Sequence, residues 1–322
     1  MEITIDDLLK EVKTYIKDEK ELQVIESAYN FALMCHESKL RKSGEAYITH
    51  PLNVAMILTT LNADYITISS ALLHETINHG GATKAQIESQ FGSEIALIVE
   101  SVSKLNRISL NDDRESSALN LRKVVVGLSE DVRVLYIKLA DRLHNMRTIW
   151  ALDDKEIKEK INETLNVKIP IAARLGINSI KSELEDLCLK YSKPEIYQEI
   201  VENLENTAEE LNEELESMKQ EITDILTEHG IKFKIKGRVK SVYSIYNKLS
   251  SGKNWNQIYD ILALRVFVSE EAECYQVIGL IHSRFRPLPK RFKDYIASPK
   301  ENMYQSLHRT VFGVDGYVFE IQ

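Results

Sequence analysis

The sequence predicts two domains, an all-helical one over residues 1–190 and an α/β one over 191–322. Three observations predict this division. Up to about residue 190, apolar residues recur at helical spacing in segment after segment. A Pro in "KYSKPEIYQ" is placed to open a new helix at Pro194. Beyond Ile231 the pattern changes to the two-residue alternation of strands. A chain of 322 residues is long enough for two cores of this kind.

In chain order, "ESAYNFALMCHESKL", "PLNVAMILTTL", "SEIALIVESVSKL" and "DVRVLYIKLADRLHNMRTI" read as amphipathic helices. From Pro194 to His229 one long acidic helix is expected. Its apolar positions Ile196, Ile200, Leu204, Leu211, Leu215, Met218, Ile222 and Ile225 step by three, four or seven, and Gly230 ends it. "IKFKIKG" then alternates, "ILALRVFV" is a buried branched run, and "YVFEIQ" alternates after the turn "VDG". With helical "VYSIYNKL" and "CYQVIGLIHSRF" between them, these strands make a sheet flanked by helices. The chain stops at Gln322 inside its last predicted strand, so a longer natural protein is expected.

Composition excludes several classes. No apolar run is long enough to span a bilayer, and the acidic amphipathic N-terminus is unlike a signal peptide. Cys35, Cys188 and Cys274 are scattered, with neither metal-ligand spacing nor a disulfide framework. A cytoplasmic protein is expected. The net charge of −8 is divided unevenly. Residues 231–322 carry 15 Lys and Arg against 8 Asp and Glu, or +7, leaving −15 for the first 230. A basic second domain beside an acidic first one suits an anionic ligand such as a nucleotide.

Three clusters in the second domain carry chemistry. In "KGRVKSVYSIYNKL", a helix starting near Lys240 would put Lys240, Ser244 and Lys248 on one face, with Arg238 just before them. Such a row suits a polyphosphate, or equally lysines lying along an amphipathic helix. Asp260 opens "DILALRVFV", and Glu320 lies on the Val318–Gln322 face of "YVFEIQ". A carboxylate in such company needs a partner, either Mg²⁺ with phosphates or a salt bridge to Arg265. "RFKDYIASPKENMYQSLHRTV" is basic and interleaved with aromatics. It offers Arg291, Lys293 and Lys300 to phosphates, Tyr304 as a stacking face, and Asn302 and His308 as hydrogen-bonding groups.

In order and wording, "GRVKSVYSIYNKL", "IYDILALRVFV", "CYQVIGLIHSRFRPLPKRFKDYIASPKENMYQSLH" and "FEIQ" resemble the synthetase domain of the RelA/SpoT homologue family, the alarmone enzymes. The resemblance implies a nucleotidyltransferase-like mixed sheet. It also implies transfer of pyrophosphate from ATP to the 3′-hydroxyl of GDP or GTP, giving ppGpp or pppGpp and AMP. Carried over by position, Asp260 is the Mg²⁺ ligand, and Glu320 is the general base and a further ligand. Arg238, Lys240, Ser244 and Lys248 meet the ATP phosphates. Lys293, Lys300, Asn302, Tyr304 and His308 form the acceptor-nucleotide site, with Tyr304 on guanine. The basic "RFKD" resembles the bifunctional branch rather than the synthetase-only one.

Over residues 20–190 the chain resembles the same family's all-helical HD-type hydrolase, through "RKSGEAYITHP", "ALLHETINHG", "KLADRLHNMRT" and "PIAARLGINSIKSELEDL". The resemblance implies an Mn²⁺ site at His50, His74, Glu75 and Asp141, with Arg41, Lys42 and Asn145 beside the nucleotide, and with Arg142 and Arg147 at the family's spacing. Glu75 stands where an aspartate is usual. Its extra methylene moves the carboxylate by ~1.5 Å, so metal binding requires the helix or rotamer to adjust. Asn78 and His79 stand where the family has a Glu-Asp pair. Asn78 can orient water but cannot take a proton. His79 can take one if it points into the site.

The expectation is therefore a (p)ppGpp synthetase with an inactive hydrolase domain. The alternatives are a bifunctional enzyme with a non-standard hydrolase site and a non-catalytic guanine-nucleotide sensor. Expected ligands are ATP, GDP or GTP, ppGpp or pppGpp, Mg²⁺, and Mn²⁺ in the hydrolase-like site. Neither membrane nor direct nucleic-acid binding is expected, and the ribosome only through a C-terminal region that this chain does not contain.

Overall fold

The helices of the first half begin where short polar side chains satisfy the free N–H groups of a first turn. In the computed structural model, which describes residues 3–107, 131–252, 254–255, 258, 261–313 and 316–322, Thr4 and Asp7 form a reciprocal capping box at the first helix. Two compact units are present, residues 1–172 and 173–322. The first contains α1 (Ile5–Val12), α2 (Glu19–Cys35), α3 (Thr49–Thr59), α4 (Tyr65–Leu73), α5 (Lys84–Phe91), α6 (Ser93–Arg107), α7 (Arg133–Arg147) and α8 (Asp154–Glu163). A π-turn over Thr164–Lys168 follows, and the division falls within the short α9 (Ile169–Arg174). α4 carries no charged side chain and is buried from Thr67 to Leu73. Ile25, Leu58, Ile68, Leu72, Ile98 and Leu143 pack this core. The element that leads into "HETINHG" is thus held in the core of the unit.

The second unit continues with α10 (Asn178–Ser192), α11 (Pro194–Asn206), α12 (Ala208–Glu228), β1 (Lys234–Val239), α13 (Val242–Ser250), β2 (Leu262–Phe267), α14 (Glu271–Arg284), β3 (Pro287–Asp294), β4 (Leu307–Phe312) and β5 (Val318–Ile321). The single helix expected over 194–229 is two helices. They meet at Thr207, whose backbone leaves helical geometry and whose hydroxyl donates to Asn203 O. The apolar stripe serves two different cores, which one straight helix cannot face together. Ile200 of α11 packs with Ile245 and Ile258, while Leu211, Leu215, Met218, Ile222 and Leu226 of α12 pack on the sheet.

The sheet has five strands in the order β1-β2-β5-β4-β3. β2 and β5 are parallel and the other neighbours antiparallel, so the sheet is mixed as expected. β3 and β4, on either side of residues 295–306, had no signal of their own in the sequence. α12 and α14 cover one face through Phe319, Ile321, Leu262, Leu264 and Val311. Register then fixes what faces the other way. Arg238 pairs with Ala263, Ala263 with Glu320, and Glu320 with Thr310, forming one row on the side away from those helices. No helix among the described residues is long and apolar enough to cross a membrane.

Candidate functional sites

In the first unit, three elements bring ligands together. His50 comes from the first turn of α3, His74 caps α4, and Asp141 lies within α7. One ligand atom of each lies within 4.8 Å of the others, and all three residues are buried. His74 Nδ1 is 2.7 Å from Ala71 O. A carbonyl only accepts, so the proton sits on Nδ1 and Nε2 bears a lone pair. That Nε2 is buried with no hydrogen-bond partner among the described residues. Burial lowers the pKa of His50, keeping it neutral, whereas the Lys138 ammonium and His50 hold the Asp141 carboxyl well below its usual range against the opposite pull of burial. Two imidazoles and an ionised carboxylate converging on one point fit a divalent cation.

Of the expected ligand set, Glu75 lies outside the mutual grouping of this trio but against one of its members. Its Oε1 is 3.6 Å from His74 Nε2 and its Oε2 is 3.2 Å from His79 Nε2. The helix ends at Leu73, so residues 74–79 form turns rather than a helical face. Asn78 accepts from the Ser103 hydroxyl of α6 at 2.7 Å. The His79 side chain is 57% exposed, and its backbone carbonyl accepts from Lys39 Nζ. Gly80 closes the turn where the backbone is crowded. A Cβ there would lie 2.6 Å from Thr76 O and 2.8 Å from Cys35 Cβ. Gly80→Ala is expected to cost about 1–3 kcal/mol of stability, read as a lower urea midpoint with an unchanged slope.

Beside the trio, Arg41 donates to Asn145 Oδ1 and Thr148 Oγ1, both at 3.1 Å, and lies 3.3 Å from His144 Nδ1. Asn145 also donates to Asp141 Oδ1 at 2.6 Å, linking the expected nucleotide group to the expected metal group. Lys42 is paired with Glu156 at 2.6 Å. Lys138 donates to Asp141 Oδ2 at 2.5 Å, and Arg142 pairs with Glu163 at 2.5 Å. Sequence reasoning missed His144 and Lys138, although each is three residues from Asp141 on the same helix, the spacing that places side chains together.

Burial takes His36 down to about 4 and His144 down to about 3. Below the ordinary value of 6.5 the unfolded chain binds protons that these folded rings refuse, so stability falls as pH drops. The urea midpoint of the metal-free chain is expected to decline between pH 6.5 and about 4. A midpoint that is flat or rises over that window would contradict the buried neutral rings.

In the second unit, α13 begins at Val242 with Ser241 as its cap, not near Lys240. The cause is local. Lys240 N still bonds to Ile261 O beside β2, which keeps that residue extended. Lys240 therefore precedes the helix, and only Ser244 and Lys248 share its face. The Ser241 hydroxyl donates to Ser244 Oγ at 2.8 Å. Asp186 of α10 accepts from Tyr243 N at 2.7 Å, and burial raises its carboxyl to about 6.

Glu320 sits on the open face. Gln322 Nε2 donates to its Oε2 at 2.7 Å, and His308 Nδ1 lies 3.4 Å from its Oε1. His308 Nε2 meets Tyr304 Oη at 3.1 Å. The Lys300 ammonium lies over the rings of Tyr295 at 4.5 Å and Tyr304 at 5.1 Å. Lys293 is exposed opposite His308 in the β3–β4 register, and Asn302 donates to Ala173 O at 3.1 Å. Thus Lys300, Tyr304, His308 and Glu320 form one connected run, with Arg238 two strands away in the row of Glu320. Arg265 donates to Gln322 and reaches Tyr304 Oη at 3.5 Å. Its signal was position, since it follows Ala263 by two on the same face. Asp260 lies outside the described residues.

A helical unit with a buried His-His-Asp trio and a mixed-sheet unit with a carboxylate in a basic, aromatic surround give the chain two candidate sites, one in each unit. The HD domain family matches residues 28–178, and the region found in RelA / SpoT proteins matches residues 237–322. The chain belongs to the RelA/SpoT homologue family. It is 42% identical over 306 residues to a GTP pyrophosphokinase of Myxococcus xanthus, covering 94% of this chain and 40% of that protein. To the guanosine-3′,5′-bis(diphosphate) 3′-pyrophosphohydrolase of Spiroplasma citri it is 39% identical over 326 residues, covering 100% and 43%. To the bifunctional (p)ppGpp synthase/hydrolase SpoT of Escherichia coli it is 41% identical over 312 residues, covering 97% and 44%. The chain spans about two fifths of the length of these relatives. Among solved structures, the small alarmone synthetase 1 of Bacillus subtilis bound to its product pppGpp gives 25% identity and a TM-score of 0.32, over 38% of this chain and 72% of that one.

Proposed function

We propose that this chain transfers pyrophosphate from ATP to the 3′-oxygen of GDP or GTP, and that its helical unit binds a divalent cation and guanine nucleotide without appreciable hydrolysis. The carrying observation is Glu320, held between His308 and Gln322 on the open face of the sheet. In this reading Glu320 takes the proton of the 3′-hydroxyl as its oxygen attacks the β-phosphorus of ATP. The bond from that phosphorus to the α–β bridging oxygen breaks, and AMP leaves. Arg238, Lys240, Ser244 and Lys248 hold the ATP phosphates. Lys293, Lys300, Asn302 and His308 hold the acceptor, and Tyr304 stacks on its guanine. Asp260 and Glu320 would hold Mg²⁺, which when bound would supply positive charge against that of the transferring group. The remaining work is positioning.

In the helical unit, His50, His74 and Asp141 would hold a divalent cation, taken as Mn²⁺, with Glu75 beside them as the fourth residue of the set. Arg41, Lys42 and Asn145 face the nucleotide. Asn78, engaged by Ser103, offers no proton acceptor, and His79 is largely in solvent. Loss of one positioned acid–base group costs ~10²–10⁴ in rate. That deficit supports ligand binding without turnover. The second reading, a bifunctional enzyme, draws support from the bifunctional SpoT relative. Two incubations, one with ATP, GDP and Mg²⁺ and one with ppGpp and Mn²⁺, separate the readings by chromatography of the nucleotides. Synthesis in the first with no loss in the second is expected. Rapid Mn²⁺-dependent loss of ppGpp would favour the second reading, and no turnover in either a sensor.

A further inference from the structure

We infer that Tyr275 of α14 is a positioning residue for the candidate acceptor-nucleotide loop, acting through Asp294. The inference rests on the reading that Lys300, Tyr304 and His308 face the acceptor nucleotide. Asp294 is the last residue of β3. Its Oδ1 accepts from two backbone groups just beyond the strand, Ile296 N at 3.0 Å and Ala297 N at 2.8 Å. One side-chain oxygen thus turns the backbone as it leaves the sheet. The Tyr275 hydroxyl donates to the same carboxylate, 3.1 Å from Oδ2 and 3.3 Å from Oδ1. Asp294 needs this outside hold. β3 is an exposed edge strand whose register shifts between Pro287 and Phe292. α14, by contrast, is fixed through Val277 and Ile281 in the core under the sheet.

What the turn places is Tyr295. Its N–H donates to Ser306 O at 2.9 Å, which closes the loop at its base. Its ring carries the Lys300 ammonium at 4.5 Å. The same ring meets His308 edge-on at 5.1 Å and Tyr304 at 6.2 Å. Three groups assigned to the acceptor therefore rest against one ring, and the backbone beneath that ring is set by Asp294. Bonds inside the loop, Lys300 N to Tyr304 O at 3.2 Å and Met303 N to Lys300 O at 2.8 Å, shape its tip but do not attach it. The hydroxyl of Tyr275 supplies that attachment from a rigid helix. Tyr275 is assigned no contact with either nucleotide. Its loss therefore weakens the bound acceptor and the transition state alike, which raises KM and leaves kcat in place.

Steady-state kinetics of ppGpp synthesis by the full chain and its variants test this, with circular dichroism to check folding. Tyr275→Phe removes only the hydroxyl, and it is expected to raise the KM for GDP about 10-fold. The kcat and the KM for ATP are expected to stay within about twofold. In an Asp294→Ala background the same substitution is expected to change the KM for GDP by less than about twofold, because the hydroxyl acts through that carboxylate. Amide hydrogen exchange at Ile296 and Ala297, measured without nucleotide, is expected to run about 10-fold faster in Tyr275→Phe. An unchanged KM for GDP would overturn the inference. So would a matching loss in kcat, or an undiminished effect of Tyr275→Phe beside Asp294→Ala. If the unsubstituted chain makes no ppGpp, the synthesis reading fails on its own. Exchange at Ile296 and Ala297 then decides the role of Tyr275, and unchanged rates overturn it.

Discussion

Replacing Glu320 by glutamine is expected to lower alarmone synthesis by about 10²–10⁴ or more, the range for losing a positioned proton acceptor. The substitution keeps size and the hydrogen-bonding surround. Gln322 donates to Oε2, and His308 stands at Oε1. An amide oxygen can keep one of those contacts, so the strand pairing of Glu320 with Ala263 and Thr310 remains intact. What disappears is the negative charge and the capacity to take the 3′-hydroxyl proton. Single-turnover rates at saturating ATP and GDP read the loss in the chemical step, because a binding defect alone would disappear at saturation. Unchanged turnover by Glu320→Gln would remove Glu320 from the role of base.

Asp141→Asn is the second large change. Outer partners alone account for about 10–100-fold in metal affinity. Loss of a first ligand's charge is therefore expected to exceed about 100-fold, measured as the Mn²⁺ dissociation constant. A stability cost accompanies it. Asp141 takes the Lys138 ammonium on Oδ2 and the Asn145 amide on Oδ1, all inside the unit. Weakening the charge-assisted hydrogen bond from Lys138 costs about 1.5–3 kcal/mol, so the denaturation midpoint of the metal-free variant should fall. Retained Mn²⁺ affinity in a folded Asp141→Asn chain would place the cation elsewhere.

Much of this was legible in the sequence, because periodicity and motif wording report local constraints. The helical first unit, the strands at "ILALRVFV" and "YVFEIQ", and the candidate metal ligands His50, His74 and Asp141 came from pattern and resemblance. The structure brings those three residues together. Less legible was whatever depends on which core a residue serves. The stripe over 194–229 is continuous in sequence, yet Thr207 splits it because Ile200 and Leu211 pack in different clusters. Lys240 looked helical by spacing but is held extended beside β2. β3 is an exposed, basic edge strand that its pairing with β4 makes a strand, and β4 is an internal strand with Leu307, Thr310 and Val311 buried. Glu75 stood in the expected ligand set as a longer substitute for aspartate, and only geometry sets it between His74 and His79. Support residues such as His144, Ser103 and Lys138 leave no motif, because their role is defined by a neighbour distant in sequence or by a shared helix face.

ATP labelled in both its β- and γ-phosphates, incubated with GDP, Mg²⁺ and this chain, tests the synthesis claim most directly. Pyrophosphate transfer predicts both labelled phosphates on a single guanosine product, with one AMP formed for each. Label recovered as free pyrophosphate, as a singly labelled guanosine product, or still in ATP after prolonged incubation would contradict it.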